Sequence, residues 1–189
     1  RDAQESRGLG DVYKRQGRYS GGGGGANMGA GGWGGPEALT CGTLRDSYGL
    51  GGKSVSGGIS TWKEDKRIFM GGGGGSGTQS DELTATPGGR GGGVVIILAN
   101  TLVANGHIID ASGETVTAVA TAAAGGGGAG GTVLLDVNEY IDSLTVIAAG
   151  GQGGSTTGSI CSGPGGGGGG GLIWYRNNSS SGNLTFNIA

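Results

Sequence analysis

Charge, aromatic rings, proline and cysteine are all scarce in this chain of 189 residues: 14% of residues are charged and 5% aromatic, with 3 Pro and 2 Cys. Each shortage excludes something. With 12 Lys and Arg against 14 Asp and Glu, no basic stripe exists to meet a phosphate backbone, so nucleic acid is not an expected partner. The longest apolar run, Val94 to Ala99, falls far short of the roughly 18 residues of a membrane-spanning helix. The single histidine, His107, cannot build a metal cluster and is assigned a structural place on a strand. Cys41 and Cys161 form no CxxC pair; one disulfide between them and two free thiols are both open. Little proline and no Gly-X-Y period exclude collagen.

Nor is a cofactor expected. The pattern GxGxxG occurs in every glycine tract and so carries no information about nucleotides. Gly52-Lys53-Ser54 ends like a phosphate-binding loop, but Ser47 stands where its first glycine belongs. A GxSxG nucleophile elbow is absent, and GGTVLLDV lacks the glycine that a calcium-binding nonapeptide needs.

What the chain has instead is glycine, 52 residues of it. Three divisions follow. Ser6 to Gln16, SRGLGDVYKRQ, matches the in-frame translation of a transposase-type sequencing adapter, so residues 1–16 are set aside as an artefact. Setting them aside leaves 8 basic and 11 acidic residues, a net charge of −3. Residues 17–93 form a glycine-rich low-complexity arm with sparse large side chains, among them Trp33 and Trp62. Residues 94–189 form a repeat region of about three units, interrupted within a strand-like burst at its C-terminal end.

Each unit is a glycine run, an apolar burst, an asparagine and a second apolar burst. The first bursts start at Val94, Thr132 and Leu172, spaced by 38 and 40 residues. Such self-similarity points to a stacked array. The second positions, Val95, Val133 and Ile173, and the fourth, Ile97, Leu135 and Tyr175, share a face by the two-residue strand period and are the expected core. The third positions, Ile96, Leu134 and Trp174, are apolar although they face away, which asks for the glycine tracts as a covering layer. Asp136 and Arg176 share the fifth position and become neighbours if units stack in parallel. The seventh position is always Asn: Asn100, Asn138 and Asn178. Asparagine tolerates left-handed backbone, so each is expected at a tight corner, with the side chains stacked as an amide ladder. In the first unit Asn105-Gly106 leaves two options, a coil with strands at 94–99, 101–104 and 107–111 or an antiparallel hairpin of 101–104 with 107–110.

The expected fold is all-β: β-solenoid-like stacked strands with tracts resembling polyglycine II, a three-residue-per-turn helix without internal hydrogen bonds. The alternative is an antiparallel β-sandwich with glycine-rich insertions.

The stretches GGRGGGVVIILANTLVANGHIIDASG, GGGGAGGTVLLDVNEYIDSLTVIAAGGQGG and GGGGGGGLIWYRN resemble a class of glycine-rich extracellular repeat proteins of bacteria and phages. In that class the closing element carries a basic residue where Leu172 stands here. The resemblance implies an extracellular, cell-surface or virion location and a non-catalytic structural or adhesive role, adhesin-like or tail-fibre-like. A cell-surface glycan or protein receptor, or further copies of the same array, would be the partner. Trp33, Trp62, Trp174 and Tyr175 are the candidate glycan-contact aromatics, weighed against plain packing. Two other classes stay open: a carbohydrate-active β-helix enzyme using Asp110, Asp136, Glu139 or Asp142, and an ice or mineral binder using Thr115-Val116-Thr117.

Overall fold

The computed structural model describes residues 19–36, 48–55, 68–79, 84–157, 162–176 and 182–189. Residues 1–16, Cys41, Trp62, Cys161 and Asn178 lie outside the described residues.

Among the described residues there is no helix, and the strands form two small sheets. One contains β1 (Val94–Val103), β3 (Thr132–Ile141) and β5 (Leu172–Tyr175). The other contains β2 (Ile108–Asp110), β4 (Leu144–Ile147) and β6 (Leu184–Asn187). All four strand pairings are parallel, so the antiparallel sandwich and the antiparallel hairpin are both corrected. Val94 pairs with Thr132 and Thr132 with Leu172, which is the spacing of the repeat. Each unit therefore contributes one strand to each sheet, and neighbouring units pair like with like.

Asn105-Gly106 does turn the chain, with φ of 48° and 75° and a bond from the His107 N–H to the Ala104 carbonyl. The turn hands the chain from one sheet to the other instead of pairing β1 with β2. Asp142, at φ 64°, sits at the matching turn of the second unit.

Asn100 and Asn138 lie within β1 and β3, and neither is left-handed, which corrects the expected corner conformation. What happens there is a change of phase. Val133, Leu135 and Val137 are buried in alternation, Asn138 and Glu139 are both exposed, and Tyr140 is buried again. The first unit slips in the same way at Asn100-Thr101. The strand bends without reversing its backbone hand.

The core lies between the sheets. Val133, Leu135, Val137, Tyr140, Leu144 and Val146 of the middle unit are buried, and Val95, Ile97, Ile173 and Tyr175 of the flanking units are partly buried against them. The other face of the first sheet is open: Ile96 is 49% and Leu98 72% exposed. The glycine cover that the apolar pattern had suggested is thus missing over Ile96 and Leu98.

A glycine body is the larger part of the fold. Segment 124–131 is wholly buried. Its N–H groups donate in a three-residue cycle: Ala124, Gly127 and Gly130 to Gly163, Gly166 and Gly169, then Gly126 and Ala129 to Gly75 and Gly72, then Gly128 and Gly131 to Glu114 and Ala111. Its carbonyls accept in the same cycle, from Gly22 and Gly25, from Gly89 and Gly92, and from Gly151 and Gly154. Six segments thus surround it, and they also bond to one another in a closed ring. The links run Gly75 to Gly23, Gly74 to Gly89, Glu114 to Arg90, Gly113 to Ala149, Gly168 to Gly151 and Gly166 to Gly22. These bonds cross residue 93, tying the low-complexity arm to the repeat region. A buried backbone must find partners for every polar group, and this ring supplies them on all sides. Apart from the methyls of Ala124 and Ala129, the spacing along this segment admits no side chain: a Cβ on Gly128 would fall on the Arg90 carbonyl, and one on Gly127 on the Gly151 carbonyl.

Candidate functional site

The outer face of β1, β3 and β5 brings most of the singled-out residues together. Parallel register lines them up in rows: Ile96, Leu134 and Trp174 in one, Leu98 and Asp136 in the next. Leu134 and Trp174 are half-buried. Arg176 follows β5, where its N–H bonds the Leu135 carbonyl, and its guanidinium Nε forms a hydrogen-bonded ion pair with Asp136. That guanidinium holds the Asp136 carboxyl below its usual range, and the carboxylate in turn raises Arg176. The pair is solvent-facing, so its energetic weight is small.

Beyond it, the Asn138 amide donates to Asn100 Oδ1 at 2.9 Å, and the Thr101 hydroxyl donates to Glu139 at 3.3 Å. Cross-strand pairs of this kind fix register more than they supply chemistry. Beneath the same strand, burial pushes the Tyr140 phenol up, with the nearby Asp136 and Tyr175 adding to the shift.

The three candidate aromatics among the described residues, Trp33, Trp174 and Tyr175, do not form one surface. Trp174 is on the outer face. Tyr175 faces the interior, stacked on Phe186 with ring centroids 4.7 Å apart. Trp33 is on the glycine body, 64% exposed, and stacks almost flat on Tyr48 at 4.7 Å and 9°. A flat, exposed indole of this kind can stack on a sugar ring or another aromatic.

The four acids are spread out. Asp110 in β2 accepts from the Ser112 N–H at 2.8 Å, Asp136 faces Arg176, Glu139 takes the Thr101 hydroxyl, and Asp142 occupies a turn. Among the described residues no group of three or more His, Cys, Asp or Glu is placed to hold a metal ion. His107 is exposed, and its carbonyl accepts from the Thr145 N–H.

Two residues that pattern reading passed over anchor the glycine body. Asn27 is 1% exposed, and its side-chain amide donates to the Gly130 carbonyl at 2.8 Å. The cycle of donors from Gly22 and Gly25 would next require residue 28, but the chain has bent away, and the Asn27 amide takes that place. At the other end the Thr86 hydroxyl accepts from the Gly125 N–H at 2.8 Å, one step before the acceptors Glu114 and Ala111 in their cycle. The available signal was position: a lone polar residue flanking a glycine run.

The chain matches no family model, no curated protein and no solved structure. No helix among the described residues is long and apolar enough to cross a membrane.

Proposed function

We propose that the chain is a non-catalytic structural or adhesive module of an extracellular, cell or virion surface. In this reading the strands are successive coils of a β-solenoid-like stack, and the glycine segments are a polyglycine II-like bundle that stiffens it. One observation carries the reading: burial rises and falls along the stack. Val133 and Leu135 of the middle unit are 0% exposed, whereas their register partners in the flanking units are only partly buried. At the β5–β6 end, Ile173, Tyr175, Phe186 and Ile188 line an apolar hollow of about 400 Å³. A further unit of the same period, from this array or from another copy, fits both ends and completes their cores. The dispersed acids, each with its own local partner or turn, support a role in shape over one in catalysis.

The adhesive part of the proposal rests on exposed rings, Trp33 above all. A glycan panel probed with residues 17–189 and with Trp33→Ala and Trp174→Ala variants tests it. Binding that both variants leave untouched would remove the aromatics from the role. Polysaccharide hydrolysis by the same protein would sink the non-catalytic reading. For the architecture, electron microscopy and circular dichroism of residues 17–189 should show a β-rich, rigid particle; a disordered spectrum would reject it.

A further inference from the structure

Segment 21–26 is a second centre of the glycine body, and its surroundings are incomplete in one direction. Its donors and acceptors follow the same three-residue cycle as segment 124–131. The N–H groups of Gly21 and Gly24 go to Gly35 and Gly32, and those of Gly22 and Gly25 go to Ala124 and Gly127. The carbonyls of Gly21 and Gly24 accept from Gly49 and Gly52, those of Gly22 and Gly25 from Gly166 and Gly169, and those of Gly23 and Ala26 from Gly75 and Gly72. Five neighbours account for five of the six directions. The sixth belongs to the N–H groups of Gly23 and Ala26, which find no acceptor among the described residues.

Around segment 124–131, donor and acceptor directions alternate from one neighbour to the next. The same alternation around segment 21–26 places the sixth direction between 49–52 and 72–75. A groove of about 440 Å³ lies there, with Gly23, Gly24, Gly25 and Ala26 along it and Leu50, Lys53, Gly72 and Gly75 at its sides. Gly23 is buried as a residue, and its N–H has no acceptor among the described residues, so a carbonyl placed in the groove would satisfy it.

We infer that this groove is a binding site for an extended, glycine-rich strand of another polypeptide chain, which enters as the sixth neighbour of segment 21–26. The chemistry selects the ligand twice. The donors of Gly23 and Ala26 are three residues apart, about 9 Å along an extended glycine helix, so the ligand must present carbonyls at that interval. Neighbouring segments pack so closely elsewhere in the body that a Cβ would strike backbone, so the ligand must lack side chains on its inward edge.

The test uses the full chain labelled with ¹⁵N and a lysine-flanked oligoglycine peptide. The Gly23 and Ala26 amide resonances should shift with saturation, and a peptide with alanine in place of every glycine, which has no methyl-free edge, should bind about tenfold more weakly or worse. Gly75→Ala is the blocking variant. Its added methyl would lie 3.5 Å from the Gly23 N, ordinary contact that the fold accepts, and would cover the donor. Gly93→Ala, with nothing within 4 Å of its added methyl, is the control that binds as the parent does. Circular dichroism of both variants separates a blocked groove from a failed fold. Unmoved Gly23 and Ala26 resonances, or equal binding of the alanine peptide, would overturn the site. If the same resonances move with protein concentration alone and Gly75→Ala abolishes that, the site stands and the strand that fills it comes from a second copy of this chain.

Discussion

The side-chain amide of Asn27 donates to the Gly130 carbonyl across 103 residues of sequence, at a point where a backbone N–H would stand if segment 21–26 ran on. The same amide lies 3.5 Å from the Thr132 hydroxyl, which donates to the Phe69 carbonyl at 2.7 Å. Three segments far apart in sequence thus meet through two buried polar side chains, at the seam where glycine body becomes sheet. Replacing Asn27 by Ala leaves a buried carbonyl without its donor. Loss of such a bond costs about 1–3 kcal/mol. Denaturant unfolding should show that loss in the midpoint for Asn27→Ala; an unchanged midpoint would mean that solvent serves the Gly130 carbonyl instead.

How much of this was legible follows from which signals are periodic in sequence. The core of the sheets was readable, because alternation in VVIILA, TVLLDV and LIWY is a local two-residue signal and the unit spacing fixes which residues pair. The Asp136–Arg176 pair followed from the same register. The glycine body was not readable beyond its existence. Glycine runs carry no side-chain pattern, so nothing marks which run meets which, and a three-residue cycle of backbone bonds leaves no trace in composition. The outward apolar row misled as well. Apolar residues on a second face ask for cover, yet Leu98 stays 72% exposed. The expected left-handed corner failed because Asn100 and Asn138 change the strand's phase through two consecutive exposed residues, a local break in the alternation that takes place without a positive φ.

Position within the body decides what a methyl group does to a glycine. At Gly128 a Cβ would fall on the Arg90 carbonyl, and a backbone neighbour cannot move aside as a flexible side chain can. Gly128→Ala should prevent cooperative folding or cost more than about 3 kcal/mol, as overpacking of a rigid interior does at its upper end. At Gly93 the added methyl meets nothing within 4 Å. Gly93→Ala should be neutral or stabilise by about 0.4–1 kcal/mol, by narrowing the unfolded ensemble. Thermal unfolding of the two variants side by side checks the contrast; equal effects would mean that the segments do not pack as a bundle.

Unit position should show in the same manner within the core. Leu135 is 0% exposed in the middle strand, and its register partner Ile97 in β1 is only partly buried. Truncating a fully enclosed Leu to Ala costs about 2–5 kcal/mol, from lost transfer energy and the cavity left behind. Ile97→Ala should cost less, because solvent already reaches that site and no closed cavity forms. The ordering of the two unfolding midpoints is the measurement. An equal loss would indicate that Ile97 is enclosed in solution, as it would be if another unit or copy stacked on β1.

Tyr140 ties the sheet core to alkaline pH. Its phenol is buried, with its hydroxyl 3.4 Å from the Leu135 carbonyl, and burial pushes its pKa above the ordinary value of about 10. In the unfolded chain the phenol ionises at that ordinary value, while in the folded chain it keeps its proton to higher pH. Between the two, the folded state binds the extra proton, so stability falls as pH rises, and the contribution is intact below pH of about 10. Unfolding midpoints should therefore drop across the alkaline range in the parent and drop less in Tyr140→Phe. Asp136 gives the opposite slope at the acid end. Its folded pKa is lowered by Arg176, so its small contribution is present above the ordinary carboxylate range and is lost as pH falls through the folded value. Arg176→Gln should flatten that acid limb and leave the alkaline one in place. A Tyr140→Phe variant whose alkaline limb matches the parent's would move the responsible group elsewhere.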